Sequence, residues 1–196
     1  TAPGATARHA SACADGGQAL VVGTTGLGSA EIAALKAAAS RIPVLYARNM
    51  SLGVAVLTEL ARQAARLLDA GYDVEIAETH HRHKKDAPSG TALQLGEAVA
   101  SARGWKLGDV AVFDRPRMAT AARPVEAIGF SSLRGGGVIG DHTVMLAGAE
   151  EVLELTHRAT DRVVFARGAL RAAEWLVGKP AGLYTLSDVL GLPAVE

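Results

Sequence analysis

Three histidines, one arginine and two lysines occupy the six positions from His80 to Lys85, and Asp86, Ala87, Pro88, Ser89, Gly90 and Thr91 follow at once. Imidazole gains or releases a proton near neutral pH, and a lysine ammonium can donate one. Pro-Ser-Gly-Thr at a helix start leaves backbone N–H groups and two hydroxyls at the positive end of the helix dipole, which suits an anion. Gly90 lets that anion approach the backbone closely. Together these residues fit a small carboxylate-bearing substrate that is protonated as it reacts. A plain helix cap and a solvated basic turn are the simpler readings of the two halves taken apart. Zinc would have to use His80, His81 and His83 at spacings of one and two. Protein zinc sites draw ligands from separated positions, and no Cys or Glu pattern elsewhere completes a set. His142 and His157 stand isolated in strand-like runs and read as histidines satisfied within a sheet.

The elements that must carry this stretch follow from periodicity. Residues 73–79 alternate as a strand leading into the histidines, and a helix is predicted over 89–102. After a proline-containing connection come strand-like runs at 125–133, 138–148 and 151–159. Gly135, Gly136 and Gly137 predict a hairpin between the first two. Upstream, a helix over 5–14 stops at Gly16 and Gly17, and a buried strand ends at Gly23. A helix capped by Ser29, a second buried strand over 42–47 and a long helix over 51–71 follow. The long helix is predicted to bury Leu52, Val56, Leu60, Ala64 and Leu67 on one stripe, with Gly71 ending it. A last helix over 162–177 has Asp161 as its cap and Gly178 and Pro180 beyond it. Strands alternating with helices predict a parallel α/β layer first. Strands in succession predict a mixed or antiparallel sheet afterwards, with the change between Ser51 and Tyr72.

Composition narrows the class. The 196 residues are 49% hydrophobic and 20% charged with zero formal net charge, the balance of an ordinary globular protein. Neutrality and only eight aromatic residues argue against nucleic acid as a partner. No apolar run reaches membrane-spanning length, and no secretory leader pattern opens the sequence. The single cysteine, Cys13, cannot form an internal disulfide, fits a reducing, cytoplasmic setting and reads as a buried structural thiol.

Gly23-Thr24-Thr25-Gly26-Leu27-Gly28 lacks the spacing of a dinucleotide fingerprint. A Gly/Thr turn at the carboxyl end of a parallel strand can still contact a ligand, and Ala47-Arg48-Asn49-Met50 occupies the equivalent place after the next strand. Two adjacent loops would then line one crevice.

At this point a family comes into view. Glu-Thr-His-His-Arg-His-Lys-Lys-Asp-Ala-Pro-Ser-Gly-Thr-Ala-Leu, residues 78–93, closely resembles the signature of dihydrodipicolinate reductases. These lysine-pathway enzymes reduce a cyclic dicarboxylate with NADH or NADPH. The stretches VVGTTG, IPVLYARNMSLGV, IGFSSLRGG, GDHTVMLAG, LTHRATDRVVFARGALRAAEWL and GLYTLSDVLGL fall in the family's order, so the resemblance spans essentially the whole chain. It implies that His80 donates or accepts a proton and that Lys84 protonates the substrate. It implies that His81, Ser89, Gly90 and Thr91 hold a substrate carboxylate. Gly23, Thr24, Thr25, Ala47, Arg48, Asn49 and Met50 match the loops at the nicotinamide end of the cofactor. No metal is implied. Arg48, in place of a small residue or proline, and Ala55, in place of a frequent asparagine, depart from the family pattern.

The implied fold class is α/β: the C-terminal part of a Rossmann-like parallel sheet (1–50), a mixed-sheet α+β substrate and oligomerisation domain (51–161), and a C-terminal helix returning to the nucleotide domain (162–196). A homotetramer is implied. The family's glycine-rich phosphate loop, first strand and cofactor-selecting residue fall before Thr1. The resemblance therefore implies a partial chain that binds cofactor weakly and exposes a sheet edge. A truncated, non-catalytic relative that binds a dicarboxylate or serves as a scaffold is the alternative expectation.

Overall fold

The structure is a computed structural model that describes residues 2–113 and 122–192. The proline-containing connection lies largely outside them. A 3₁₀ turn (Pro3–Ala5) leads into α1 (Thr6–Asp15), β1 (Leu20–Val22), α2 (Ser29–Ala39), β2 (Pro43–Tyr46) and α3 (Leu52–Leu67). Next come β3 (Asp73–His80), α4 (Gly90–Ala102), α5 (Leu107–Val110) and β4 (Ala111–Val112). Then follow β5 (Ile128–Arg134), β6 (Asp141–Ala147), β7 (Val152–Arg158), α6 (Val163–Leu176), β8 (Gly182–Tyr184) and α7 (Leu186–Leu190). Two compact units result: Thr1–Ala55 with Val163–Glu196, and Val56–Arg162, the boundary falling inside α3.

The first unit holds a three-stranded parallel sheet in the order β1-β2-β8. Leu35, Ala38, Val44 and Ala10 are buried on one side of its core, with half-buried Cys13 packed against them. Leu45, Met50, Ala172 and Leu176 form a second cluster. α2 begins one residue earlier than Ser29 capping would have it. Gly28 is the cap, and its N–H donates to Glu31 at 2.9 Å. Glycine suits this cap because it adopts the required extended backbone without a side chain to place.

The second unit holds a five-stranded mixed sheet in the order β4-β5-β3-β6-β7. β5 runs parallel to β3, whereas β6 runs antiparallel to it. The hairpin expected between β5 and β6 therefore does not form, because β3 lies between them. The glycine run instead carries the chain across the carboxyl end of β3, where Gly135 N–H donates to the His80 carbonyl at 2.9 Å. The hairpin of this sheet joins β6 to β7.

Burial alternates along β3: Val74, Ile76, Glu78 and His80 are buried on the face that meets the helices. Val74 and Ile76 pack with Leu57, Ala61 and Ala65 of α3, Leu95 and Val99 of α4, and Ile128, Val144 and Leu146 of the neighbouring strands. Each such large side chain, fully buried, contributes roughly 1.5–3 kcal/mol before chain entropy is counted. The expected α3 stripe is a correction. Val56, Leu60 and Leu67 are exposed, while Leu57, Ala61 and Ala65 face the core. Small alanines let the helix approach the sheet closely, so the buried line runs one position beyond the large residues.

Candidate functional site

His80 is the last residue of β3, and α4 starts ten residues later, so the intervening loop is held at both ends by regular structure. The loop is also tied from the side. Arg82 N–H donates to Gly136 O at 3.3 Å, Lys84 N–H to His81 O at 3.1 Å, and Arg134 Nη2 to Asp86 O at 2.6 Å. Ser89 caps α4, its Oγ accepting from Ala92 N–H at 3.1 Å, and removing such a cap costs about 1 kcal/mol.

At the centre lies a residue that sequence reasoning passed over. Glu78 is 1% exposed, and both of its carboxylate oxygens accept hydrogen bonds. Oε2 takes His80 Nδ1 at 2.5 Å and Arg134 Nη1 at 2.9 Å, while Oε1 takes Arg134 Nη2 at 2.7 Å and Ser89 N–H at 3.2 Å. Burial alone would raise the Glu78 carboxyl. The hydrogen bonds from Arg134, His80 and Ser132 together outweigh it and hold the group below the usual carboxylate range. Glu78 is thus an anion, and His80 must present a protonated Nδ1 to it. Burial lowers His80 itself, Glu78 opposes that, and the positive charges of Lys84 and Arg134 add to it.

His142, on β6 opposite Glu78, is the second omission. Its ring meets His80 edge-on with centroids 5.1 Å apart, and its Nε2 lies 3.1 Å from Ser89 Oγ. Burial, reinforced by His80, pushes it down to about 4 from an ordinary 6.5. The unfolded chain therefore binds a proton that the folded chain refuses between those values. The associated stability is complete above pH 6.5 and is lost as pH falls to about 4. The unit should lose on the order of 3 kcal/mol over that window from this group. Thermal unfolding from pH 7 to pH 4 checks it: His142→Asn should flatten the slope, and an unchanged slope would exclude His142 as its source.

The remaining expected residues sort clearly. His81 is half-buried just past β3, with its ring 6.2 Å from that of exposed His83. Lys84 Nζ pairs with exposed Asp86 at 2.9 Å. Ser89 is buried with its hydroxyl and N–H engaged, so it caps and braces the helix end rather than standing open to a ligand. The open side of the α4 N-terminus is at Gly90, where a Cβ would meet nothing within 4 Å; Thr91 is half-buried in the same turn.

In the other unit, the two candidate loops leave the carboxyl ends of adjacent parallel strands. Ala47 N–H donates to Val22 O at 3.1 Å, which brings the loop starts together. Gly23 is exposed, and a Cβ there would come within 3.3 Å of Met50 Cε. Thr24 and Ala47 are half-buried and Thr25 and Arg48 exposed, whereas Met50 turns into the core. Asn49 Oδ1 accepts from Ser51 N–H at 2.9 Å and closes the second loop. A loop pair with a bare glycine backbone and threonine hydroxyls fits the ring end of a nicotinamide cofactor.

Residues 53–190 match the family described as dihydrodipicolinate reductase, C-terminus, and residues 1–50 its N-terminus. The chain belongs to the dihydrodipicolinate reductase family. It is 53% identical over 192 residues to the 4-hydroxy-tetrahydrodipicolinate reductase of Thiobacillus denitrificans, covering 98% of this chain and 72% of that one. The enzyme of the same name from Acinetobacter baumannii strain ATCC 17978 is 49% identical over 196 residues, covering 100% and 71%. Among solved structures, the dipicolinate-bound dihydrodipicolinate reductase from Paenisporosarcina sp. TG-14 superposes with a TM-score of 0.72 at 26% identity, covering 94% of this chain and 69% of that one. The α/β architecture, one parallel sheet and one mixed sheet, is thus that of a reductase family. No helix among the described residues is long and apolar enough to cross a membrane.

Proposed function

We propose that this chain reduces 4-hydroxy-tetrahydrodipicolinate to tetrahydrodipicolinate with NADH or NADPH, in diaminopimelate and lysine biosynthesis. The observation that carries the reading is the joining of a histidine hydrogen-bonded to a carboxylate, a lysine and an open helix N-terminus around one strand end, in a chain of this family. The 4-hydroxyl of the substrate leaves as water, and the cofactor, when bound, supplies hydride to a conjugated carbon of the resulting ring. Gly23, Thr24, Thr25, Ala47, Arg48 and Asn49 hold its nicotinamide end, and Met50 anchors their loop in the core. Gly90 and Thr91, with His81, hold a substrate carboxylate through N–H groups at the helix end, and Ser89 keeps that end in place. Lys84 delivers a proton to the electron-rich ring, and His80 gives or takes one at Nε2. The cationic lysine also stabilises negative charge that develops during the step.

In this reading residues 1–50 belong to the nucleotide-binding domain, 51–161 to the substrate and oligomerisation domain, and 162–196 to the returning segment. The assembly is a homotetramer in the cytoplasm, with neither nucleic acid nor membrane as partner. Exposed Ala77, Ser131 and Leu133 on the sheet face away from α4 support self-association. The full polypeptide should oxidise NADH or NADPH only when the cyclic dicarboxylate is present. Oxidation without it overturns the reading, and dicarboxylate binding without oxidation points to a non-catalytic relative.

A further inference from the structure

Glu78 has no part in the chemistry just described, yet it sits where a carboxylate is most expensive to place, at 1% exposure in the central strand. A hydrophobic pair of equal volume would fill the same space at no electrostatic cost. What the carboxylate adds is direction. An ionised carboxylate only accepts hydrogen bonds, so the imidazole nitrogen 2.5 Å from Oε2 must carry a proton. Arg134 grips both oxygens at 2.7 and 2.9 Å and keeps the carboxylate from turning away. On the far side of the ring, a Cβ at Gly140 would lie 3.0 Å from His80 Nε2, so the chain omits a side chain beside that nitrogen.

We propose that Glu78, locked by Arg134, is the positioning residue of His80: it takes the Nδ1 proton and thereby leaves Nε2 as the nitrogen that exchanges a proton with substrate. The catalytic half of this statement rests on the reductase reading; the tautomer does not. Other groups face the ring from each neighbouring element. Lys84 on the loop and Arg134 on β5 disfavour the imidazolium, as does the ring of His142 on β6 whenever it is charged, and Ser89 N–H at the α4 terminus binds Glu78 rather than the ring. Glu78 is thus the anion in contact with the ring, and it opposes all of them.

The first test uses the unmodified chain. Long-range ¹H–¹⁵N NMR of the His80 ring near pH 7 should show the neutral Nδ1–H tautomer. An unassisted imidazole favours Nε2–H, and finding that form at His80 overturns the proposal whatever any variant does. The second test uses the full enzyme with Glu78→Gln and Glu78→Asp. Glu78→Gln should lower kcat at least about 10-fold with KM little changed, by the behaviour of other carboxylate–histidine pairs. It should also move the pH profile of kcat to lower pH, because the carboxylate that favours the imidazolium is gone. Glu78→Asp should restore part of the rate if it keeps the Nδ1–H tautomer. A folded Glu78→Gln enzyme with unchanged kcat and unchanged pH profile overturns the proposal. If Glu78→Gln does not fold, Glu78→Asp decides: full loss of rate with the tautomer intact sinks it, and tautomer and rate moving together uphold it. Absence of turnover in the unmodified enzyme overturns the reductase reading, and the tautomer then decides the positioning claim by itself.

Discussion

Replacing Arg134 with alanine should cost the Val56–Arg162 unit about 3–5 kcal/mol, the range for removing one partner of a buried ion pair. The guanidinium contributes two bonds, one to each oxygen, to a carboxylate that is 1% exposed, and it also donates to Asp86 O and Leu133 O. Without it Glu78 keeps His80, Ser89 N–H and Ser132 as hydrogen-bond partners, and its anion loses its fixed counter-charge. Hydrogen exchange of β3 amides is the suitable readout, because a central strand opens only with its whole unit. The double variant Arg134→Met with Glu78→Gln should recover part of the loss, since neither buried charge is then left alone. A loss below about 1 kcal/mol in Arg134→Ala would show that Glu78 does not depend on it.

Lys84→Ala should act on the reaction and leave the fold alone. Its Nζ partner is Asp86, whose side chain is 59% exposed, so the pair contributes at most about 1 kcal/mol to stability. Loss of a positioned proton donor costs about 10²–10⁴-fold in rate. Turnover of the full enzyme and thermal unfolding, measured side by side, separate the two effects. Near-normal turnover would remove Lys84 from the mechanism, whereas a matched fall in rate and melting temperature would make its role structural.

Much of the site was legible because its signals are local. Alternation over residues 73–79 and the Pro88-Ser89-Gly90-Thr91 helix start bracket the histidine loop, and both elements form there. Glu78 was legible in principle. It shares the parity of Val74 and Ile76, so the period that buries those residues buries it too, and only its charge suggested solvent. Arg134 and His142 carried no such signal. They reach Glu78 through strand pairings 56 and 64 positions away, respectively, and a one-dimensional pattern holds no register. The same blindness produced the β5–β6 hairpin, since a glycine run looks alike whether it turns a hairpin or crosses the end of an inserted strand. The α3 stripe went astray because alanines at 61 and 65 outrank leucines when a helix packs closely on a sheet.

The alternation of β3 also acts as a proofreading device. Val74, Ile76, Glu78 and His80 share one face, so a slip of one residue against β5 or β6 would turn all four outward together. It would expel two aliphatic side chains from the core in the same movement that dismantled the charged centre. A chain with its chemical groups misaligned is thereby also a chain without a core, and the apolar interior vouches for the alignment of the histidine.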